Sequence, residues 1–264
     1  MNYRHIYHAG NFADVIKHAL LVLALQHLQQ KEKGYFALDA HGGLGLYDLQ
    51  SVETQKTKEY EAGIGKIIDL PALAFFAEIV KLYGYPQTYP GSPAFINHLL
   101  RPQDRAVFNE LHKDDFETLK SNFPKIHIEN KDAYEVIRAL VPPPERRGLV
   151  LLDPPFEKTD EFETMRKQLK EWYKRWASGT YMIWYPIKAH LETHLFNEAA
   201  KESGFEKIWV TEFLYRPRHT PDGLNGCGIL FLNTPYSVPE RWAQITPALA
   251  AALGGTMGSA WLRE

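Results

Sequence analysis

The chain has little of several features whose abundance would place it in a specialised class of protein. It contains a single cysteine, Cys227, so an internal disulfide framework and a zinc site built from thiolates are both excluded. The longest apolar run, Ala19 to Leu25, is far too short to cross a bilayer and does not follow the basic start of a signal peptide. Neither sign of charge dominates, because 30 Lys and Arg residues stand against 32 Asp and Glu residues. We therefore expect a cytoplasmic globular protein that is stabilised by burial of its core.

Short apolar runs that end in turn residues alternate with longer segments of helical periodicity. This alternation is typical of an α/β protein with a largely parallel sheet, here a single domain over 1–264. Seven strands are predicted, at 35–39, 106–111, 125–129, 149–153, 181–185, 207–213 and 228–233. Helices are predicted at 11–30, 113–121, 133–140, 161–176 and 190–203. Beyond residue 239 we expect one more helix and then a short tail.

One long stretch interrupts the alternation between the first and second predicted strands. Residues 49–90 show helical periodicity at 54–68 and 71–83 and contain no convincing strand. We interpret this stretch as a helical insertion subdomain that follows the first strand. The proline-rich segment 85–93 would return the chain to the sheet.

A glycine-rich loop follows the first predicted strand. Asp39 is followed by Ala-His-Gly-Gly-Leu-Gly, at the edge where an open α/β sheet presents its ligand crevice. Glycines such as Gly43 let backbone amides approach a ligand, either a pyrophosphate or the amino-acid part of S-adenosylmethionine (AdoMet). The spacing is not G-x-G-x-x-G, and the region 20 residues onward falls in the insertion, which disfavours a nicotinamide cofactor. A tight turn without a ligand is the alternative.

Two acids follow later predicted strands and are candidates for holding a nucleoside. Glu110, after the second strand, could bind ribose hydroxyls, and Asp132, after the third, could face an adenine edge. A role as a helix cap or as a solvated turn residue is the alternative for each acid.

The most specific motif is Asp153-Pro154-Pro155-Phe156, which directly follows the apolar run 148–152. Two prolines fix φ and remove two amide donors, so the main chain leaves the strand stiffly with its carbonyls free. The Asp153 carboxylate and the Pro154 carbonyl can accept hydrogen bonds from the N6 amine of adenine, and Phe156 can stack on the base. Positioning and electrostatics would then direct the nitrogen lone pair at a methyl donor, without a metal. In the alternative, Asp153 caps the next helix and Phe156 belongs to the core.

With these residues in view, the chain resembles the AdoMet-dependent amino-methyltransferases that carry an (Asp/Asn/Ser)-Pro-Pro-aromatic motif. Its opening segment 3–18, YRHIYHAGNFADVIKH, is similar to that of the RlmJ family, which methylates N6 of an adenine in 23S ribosomal RNA. The likeness continues at 89–93, 110–112, 146–149, 184–186 and 259–261. The resemblance implies a class I, Rossmann-like methyltransferase fold, AdoMet as cofactor and a monomeric protein.

The resemblance also implies roles for individual residues. Those that would line the AdoMet site are His18, His41, Ser92, Glu110, Asp132 and Ala133, with Asp153 both catalytic and close to the cofactor. His5 and Lys17 would complete the catalytic group with Pro154 and Phe156, and Tyr3 would meet the RNA. Phe156 stands where the family often has tyrosine, and Asp132 precedes Ala133 where glycine is common.

RNA binding does not show in the net charge, but a local basic patch suffices for it. One candidate patch is Tyr3-Arg4-His5 with Lys17, and the other is the segment 215–219, Tyr-Arg-Pro-Arg-His. The aromatic residues Trp172, Tyr173 and Trp176 are more typical of a core-facing helix. The histidines lack the spacing of metal ligands, so no metal is expected.

We predict from these features an enzyme that transfers a methyl group from AdoMet to N6 of an adenine in 23S ribosomal RNA. A DNA adenine methyltransferase shares the tetrapeptide and is the alternative within the same class. A non-catalytic RNA-binding or ribosome-assembly protein is the alternative from another class.

Overall fold

The computed structural model describes residues 4–157, 159–188, 190–221 and 223–264. Its helices are α1 (Phe12–Gln29), α2 (Val52–Thr57), α3 (Glu59–Ala62), α4 (Ile64–Ile67), α5 (Ala74–Leu82), α6 (Ser92–Leu99), α7 (Lys113–Asn122), α8 (Ala133–Leu140), α9 (Glu161–Trp176), α10 (His190–Lys201) and α11 (Ser237–Leu253). Its strands are β1 (Phe36–Asp39), β2 (Leu46–Asp48), β3 (Thr88–Pro90), β4 (Arg105–Asn109), β5 (His127–Glu129), β6 (Gly148–Leu152), β7 (Thr180–Ile187), β8 (Ile208–Leu214), β9 (Gly226–Leu232) and β10 (Thr256–Arg263).

The main sheet, over the residues described, has eight strands in the order β10-β8-β9-β7-β6-β1-β4-β5. Strand β1 pairs in parallel with β4 on one side and with β6 on the other. Strands β5 and β7 extend this parallel part, whereas β9 and β10 run antiparallel to their neighbours. The chain builds outward from β1 through β4 to β5 and then crosses back to β6. The crevice at the carboxyl ends of β1 and β6 is therefore the expected place for a ligand.

Helices cover both faces of the sheet. Ala37 and Leu151 contribute to a core that also contains residues of α1, α6 and α11, whereas Leu38 and Leu152 contribute to the core formed with α8, α9 and α10. Every residue of β1 and β6 is buried, as expected for parallel strands that are covered on both faces.

Helix α1 is buried around most of its circumference, with α6 and α11 packed along it. Its first turn is capped by the Asn11 side chain, which accepts hydrogen bonds from the backbone of Ala13 and Asp14 at 2.9 and 3.0 Å. This burial removes Asp14, Lys17 and His18 from water, and buried polar groups are costly unless they find partners.

The predicted strand number was wrong, because β10 occupies the segment that was predicted to be a tail. Its side chains are mostly exposed, and it joins the sheet by backbone pairing with the open edge of β8. Such a strand produces little hydropathy signal. Strands β2 and β3, which pair as a separate antiparallel ribbon, were also not predicted.

The region between β2 and β3 is helical, but its helices are shorter than the periodicity indicated. The predicted helix 54–68 is divided into α2, α3 and α4, with breaks at Lys58 (φ 51°) and Gly63. Helix α6 was missed because Pro90 and Pro93 indicated a turn, although Pro93 lies in the first turn of the helix, where its missing N–H costs nothing. The boundaries 49–90 of an insertion subdomain stay a prediction. No helix in the described part of the chain combines the length and apolar character needed to span a bilayer.

The contact between β1 and β6 predicts a strong effect of one added methyl group. A Cβ at Gly148 would lie 2.0 Å from the Phe36 carbonyl oxygen, so Gly148→Ala must push the two central strands apart. We expect the free energy of unfolding to fall by about 1–3 kcal/mol or more in urea denaturation.

Gly258→Ala is the matched control, because a Cβ at this strand position in β10 meets nothing within 4 Å. We expect this change to shift the stability by no more than about 0.5 kcal/mol. Equal effects of the two substitutions would contradict the tight β1–β6 contact.

Candidate active site

A cavity of about 640 Å³ opens at the carboxyl ends of the parallel strands. Its walls come from the start of α1, the loops after β1, β4, β6 and β7, and the first residues of α8. The sequence-predicted residues that line it are His5, Lys17, His18, His41, Gly43, Ser92, Glu110, Asp132, Ala133, Asp153, Pro154 and Phe156. Arg4 lies in a small adjoining crevice, and Tyr3 lies outside the described residues.

A chain of charged groups links the start of the protein to the tetrapeptide. The Lys17 ammonium donates to Asp14 Oδ1 at 2.9 Å and to Asp153 Oδ2. On the far side of Asp14, His5 Nε2 lies 2.9 Å from Oδ2, and the Gly10 amide donates to the same oxygen at 2.9 Å. Asp14 and Lys17 share one face of α1 because they are three residues apart. This geometry joins α1 to the end of β6.

The electrostatics of this chain keep its buried groups charged. Burial disfavours the charge on Lys17, but the carboxylates of Asp14 and Asp153 outweigh it and raise the pKa of Lys17 above its usual value. Burial likewise opposes ionisation of Asp14, yet His5 and Lys17 hold its pKa well below the usual range. Lys17 is therefore a permanent cation at neutral pH and does not serve as a base.

His18 is a neutral, buried group in the cavity wall. Its Nδ1 lies 2.9 Å from the Tyr89 hydroxyl, and burial together with Lys17 holds its pKa well below the usual value. Its Nε2 has no hydrogen-bond partner and lies 3.8 Å from Asp14 Oδ1. A buried polar atom without a partner at a cavity wall is suited to a ligand.

His41 connects the glycine loop to the tetrapeptide. The backbone N–H of Asp153 donates to His41 Nδ1 at 3.2 Å, which requires an unprotonated Nδ1. Burial lowers the pKa of His41 to about 4, because the charges of Asp153 and Asp132 only partly offset the loss of hydration. The neutral ring therefore sets the position of the backbone at Asp153.

Asp39 was not assigned a separate role, yet it organises the start of the glycine loop. It is fully buried and accepts a hydrogen bond from the His41 backbone N–H at 3.2 Å. Burial raises its pKa to about 6, against the opposing effects of the Ser92 hydroxyl and the His41 amide. Ser92, at the start of α6, is thus brought against the end of β1.

Glu110 bridges the loops that follow β1 and β4. One carboxylate oxygen accepts the Gly43 N–H at 2.9 Å, and the other accepts the His112 N–H at 2.8 Å. Burial raises the pKa of Glu110, although these two amides oppose the shift. Gly43 has φ 57°, and a Cβ there would lie 2.2 Å from the Tyr47 hydroxyl. Glycine is required at this position, because the backbone is left-handed there and the Tyr47 hydroxyl occupies the space that a Cβ would take.

Asp132 caps α8, which is the alternative role that the sequence allowed for this acid. Its Oδ1 accepts the N–H of Tyr134 at 2.9 Å and that of Glu135 at 3.3 Å. Asp132 and Ala133 nevertheless both line the cavity, so the capping role and a ligand role are compatible.

Sequence reasoning missed Asn109, which fastens the loops of this half of the cavity together. Its buried side-chain amide donates to the carbonyls of Ala40 and Lys131 at 3.0 Å each, and its Oδ1 accepts the Lys131 N–H at 3.2 Å. The only available signal was its position at the end of a predicted strand beside Glu110.

The tetrapeptide forms the other half of the cavity. Asp153 does not cap the next helix, because α9 begins at Glu161 after Asp160. Phe156 adopts φ 48°, which is unusual for an aromatic residue, and its ring packs 4.9 Å from Phe162 and 5.8 Å from Trp184. A residue held in this region of φ/ψ space at a cavity points to function.

The two candidate basic patches differ in their contacts. Arg4 is 45% exposed and lies 3.6 Å from Asp115 at the cavity margin. In the second patch, Tyr215 lines the cavity, but Arg218 is paired with Glu212, and both side chains are partly buried.

The helical aromatic residues only partly follow the prediction. Trp172 and Trp176 are buried, which confirms their assignment to the core, whereas Tyr173 is 38% exposed. No group of His, Cys, Asp or Glu in the described ranges has the arrangement of a metal site.

Comparisons with known proteins identify relatives of this chain. The family model "Ribosomal RNA large subunit methyltransferase D, RlmJ" matches residues 32–263. Relatives named "Ribosomal RNA large subunit methyltransferase J" are 38% identical in Haemophilus influenzae, over 100% of this chain and 98% of the relative, and 35% identical in Escherichia coli, over 96% and 94%. A crystal structure of a Legionella pneumophila protein superposes with a TM-score of 0.86 at 33% identity, over 96% of this chain and 97% of that one. The predicted class I methyltransferase fold is confirmed, with eight strands rather than seven.

His41 and His8 have opposite environments, so we predict that their pKa values shift in opposite directions. An NMR titration of the histidine side chains measures both shifts. We expect His41 to stay neutral down to a pH of about 4, and His8 to titrate above 6.5 because its Nδ1 is hydrogen-bonded to Glu59 at 2.9 Å. A lowered folded-state pKa means that the stability associated with His41 is lost as the pH falls below 6.5. The stability from the His8–Glu59 pair is instead present below 6.5 and lost as the pH rises through the raised pKa of His8.

Glu59→Gln should lower the pKa of His8, because the hydrogen bond to the carboxylate is the largest cause of the shift. Glu61→Gln, which alters an exposed acid of the same helix, should leave it unchanged. A His41 that titrates at its usual pH would contradict its acceptance of the Asp153 amide.

Proposed function

We propose, since this chain belongs to the RlmJ family of large-subunit ribosomal RNA methyltransferases, that it transfers a methyl group from AdoMet to N6 of an adenine in 23S ribosomal RNA. The observation that carries the proposal is the Asp153-Pro154-Pro155-Phe156 turn at the floor of the cavity, with Asp153 held by the buried Lys17 ammonium. The relatives support the RNA substrate, and the tetrapeptide supports the amine acceptor.

The residues of the glycine-loop half fit AdoMet. The unpartnered Nε2 of His18 at the cavity wall is the feature of the structure that suits a ligand. We assign the ribose hydroxyls to Glu110, and the adenine end to Asp132 and Ala133. When bound, AdoMet supplies a methyl group that its sulfonium centre activates for attack by a neutral amine. We assign Ser92, His41 and Asp153 to the same donor site.

The tetrapeptide half is assigned to the target adenine. The Pro154 carbonyl and Asp153 Oδ1 are available to accept the two N6 hydrogens, because Lys17 occupies Asp153 Oδ2. Phe156 offers its ring to the face of the base. Two hydrogen bonds to the amine fix the direction of its lone pair, and a fixed direction lowers the entropic cost of reaching the transition state.

The charge chain supplies electrostatic control during transfer. The amine would gain positive charge as the new C–N bond forms and the C–S bond of the sulfonium breaks to release a neutral thioether, and the Asp153 carboxylate is placed to stabilise that charge and to take the proton at Oδ1. Lys17 keeps the carboxylate oriented, while Asp14 and His5 keep Lys17 fixed. His5 and Lys17 therefore act through Asp153. We assign Arg4 and Tyr3 to contacts with the RNA, and propose that the protein acts as a cytoplasmic monomer without an obligatory protein partner.

Asp153→Ala tests the proposed reaction. Purified protein, labelled AdoMet and protein-free, undermethylated large-subunit ribosomal RNA should yield labelled N6-methyladenosine, detected by mass spectrometry after digestion. We expect Asp153→Ala to lower the rate by about 100-fold or more, because it removes both the acceptor of the amine proton and the partner of Lys17.

Asp114→Ala, an exposed acid of α7, should retain the wild-type rate. DNA of the same sequence, assayed in parallel, distinguishes RNA from DNA methylation. Equal rates for wild type and Asp153→Ala under saturating AdoMet would disprove the catalytic assignment.

Glu110→Gln tests the donor site separately from the reaction. The amide can no longer accept from both the Gly43 and His112 N–H groups, so it disturbs the loop and removes the charge offered to the ribose. We expect the affinity for AdoMet, measured by calorimetry, to fall about 10-fold or more. Glu117→Gln on the exposed face of α7 should bind like wild type, and unchanged binding by Glu110→Gln would exclude Glu110 from the donor site.

A further inference from the structure

The order of the strands divides the cavity into two halves. Loops after β1, β4 and β5 form the half assigned to the donor, and β6 with Asp153 lies at the centre. The other half is formed by the tetrapeptide, β7 and the segment between β8 and β9. Its wall comprises Phe156, Trp184, Pro186, Lys188, Tyr215 and Leu224. This wall lies beside Asp153 and is one of the surfaces that an RNA strand delivering its adenine to Asp153 could contact.

Tyr215 is the exposed aromatic residue of that wall. Its side chain is 40% exposed, although its ring packs edge-on against Phe12 with the centroids 5.1 Å apart. Its hydroxyl donates to the Leu224 carbonyl, across the base of the segment. The ring is therefore held in a defined position while part of it stays open to solvent at the cavity margin.

The segment that carries Tyr215 is fastened at several points. The buried Asn225 side-chain amide donates to the carbonyls of Lys188, Arg218 and Thr220 at 3.2, 2.9 and 3.0 Å. Arg218 is further bound to Glu212 on β8. A ring on such a support loses little conformational freedom when a ligand binds, which favours its use in recognition.

Positive charge accompanies the exposed ring. The Arg216 guanidinium carbon lies 5.8 Å from the centroid of Tyr215, and the exposed Lys188 lines the same wall. The cavity interior is instead rich in carboxylates, including Asp14, Glu110 and Asp153. This distribution favours a base inside the cavity and the phosphates at its margin.

We propose that Tyr215 stacks on a base that flanks the target adenine and so sets the register of the RNA strand at the active site. The proposal rests on the proposed function. A base that leaves its strand to enter a pocket deprives its neighbour of a stacking partner, and an aromatic side chain at the pocket margin restores that contact. Tyr215 is thus a substrate-binding residue, separate from the groups that carry out the methyl transfer.

The test compares Tyr215→Ala, Tyr215→Phe and wild type on an RNA fragment that wild type methylates. Tyr215→Ala should lower kcat/KM by about 5- to 100-fold, mainly through KM, because stacking of one base is lost. Tyr215→Phe keeps the ring without the hydroxyl and should stay within about 2-fold of wild type, if stacking rather than the Leu224 contact accounts for the effect. Affinity for AdoMet should be the same for all three proteins, and thermal unfolding should show that each is folded at the assay temperature.

RNA substrates with an abasic site at one flanking position at a time complete a thermodynamic cycle. At one flanking position, the abasic site should raise KM for wild type and leave KM for Tyr215→Ala unchanged. That position identifies the base on which Tyr215 stacks. Tyr236→Ala is the matched control, because Tyr236 is a 72% exposed tyrosine that packs edge-on against His27 and does not line the cavity.

The outcomes separate this inference from the proposed function. If wild type methylates the RNA but Tyr215→Ala has an unchanged KM, or if no abasic position couples to it, the stacking role is wrong and the reaction stands. If wild type methylates no RNA, the proposed function fails first, and this inference fails with it.

Discussion

The ammonium group of Lys17 lies buried between two carboxylates and ties the first helix to the end of the sixth strand. A lone charge at this depth is strongly unfavourable, and removal of one partner from such a buried pair typically costs about 3–5 kcal/mol. Burial of α1 under α6 and α11 excludes water from these groups, so the packing of the core also strengthens the electrostatics of the site. The core and the active site therefore depend on the same helix.

The sheet order places two differently built surfaces on either side of this ion chain. On one side, Asn109 and Glu110 hold the loops after β1 and β4 through backbone hydrogen bonds, so that glycine amides and carboxylates are already in position. On the other, two prolines and a ring of aromatic side chains around Phe156 form a stiffer and less polar wall. Preorganised dipoles on one side and apolar surfaces on the other are suited to a charged donor and a neutral base, respectively.

The balance of charge in the cavity limits what can enter it. Carboxylates dominate its interior, whereas Arg4, Lys188 and Arg216 lie toward its margins or on the exposed segment before β9. A polyanion therefore meets favourable positive charge only at the margin of the cavity. A neutral base is the part of a nucleic acid that can lose its water and enter the cavity interior. The net charge of −2 does not reveal this separation of charge, because it is the sum over the whole chain.

Several features were determined by the sequence alone, because each depends on neighbouring residues. Apolar runs and turn residues predicted every strand of the main sheet except β10, and the Asp153-Pro154-Pro155-Phe156 turn carries its stiffness in its own backbone. Other features depended on groups that are distant in the chain. Strand β10 exists because β8 offers an open edge, and Lys17, which already pairs with Asp14 on its own helix, also binds Asp153 from 136 residues away. Periodicity has no access to such pairings, since only the folded chain brings the partners together and excludes the water that would otherwise separate them.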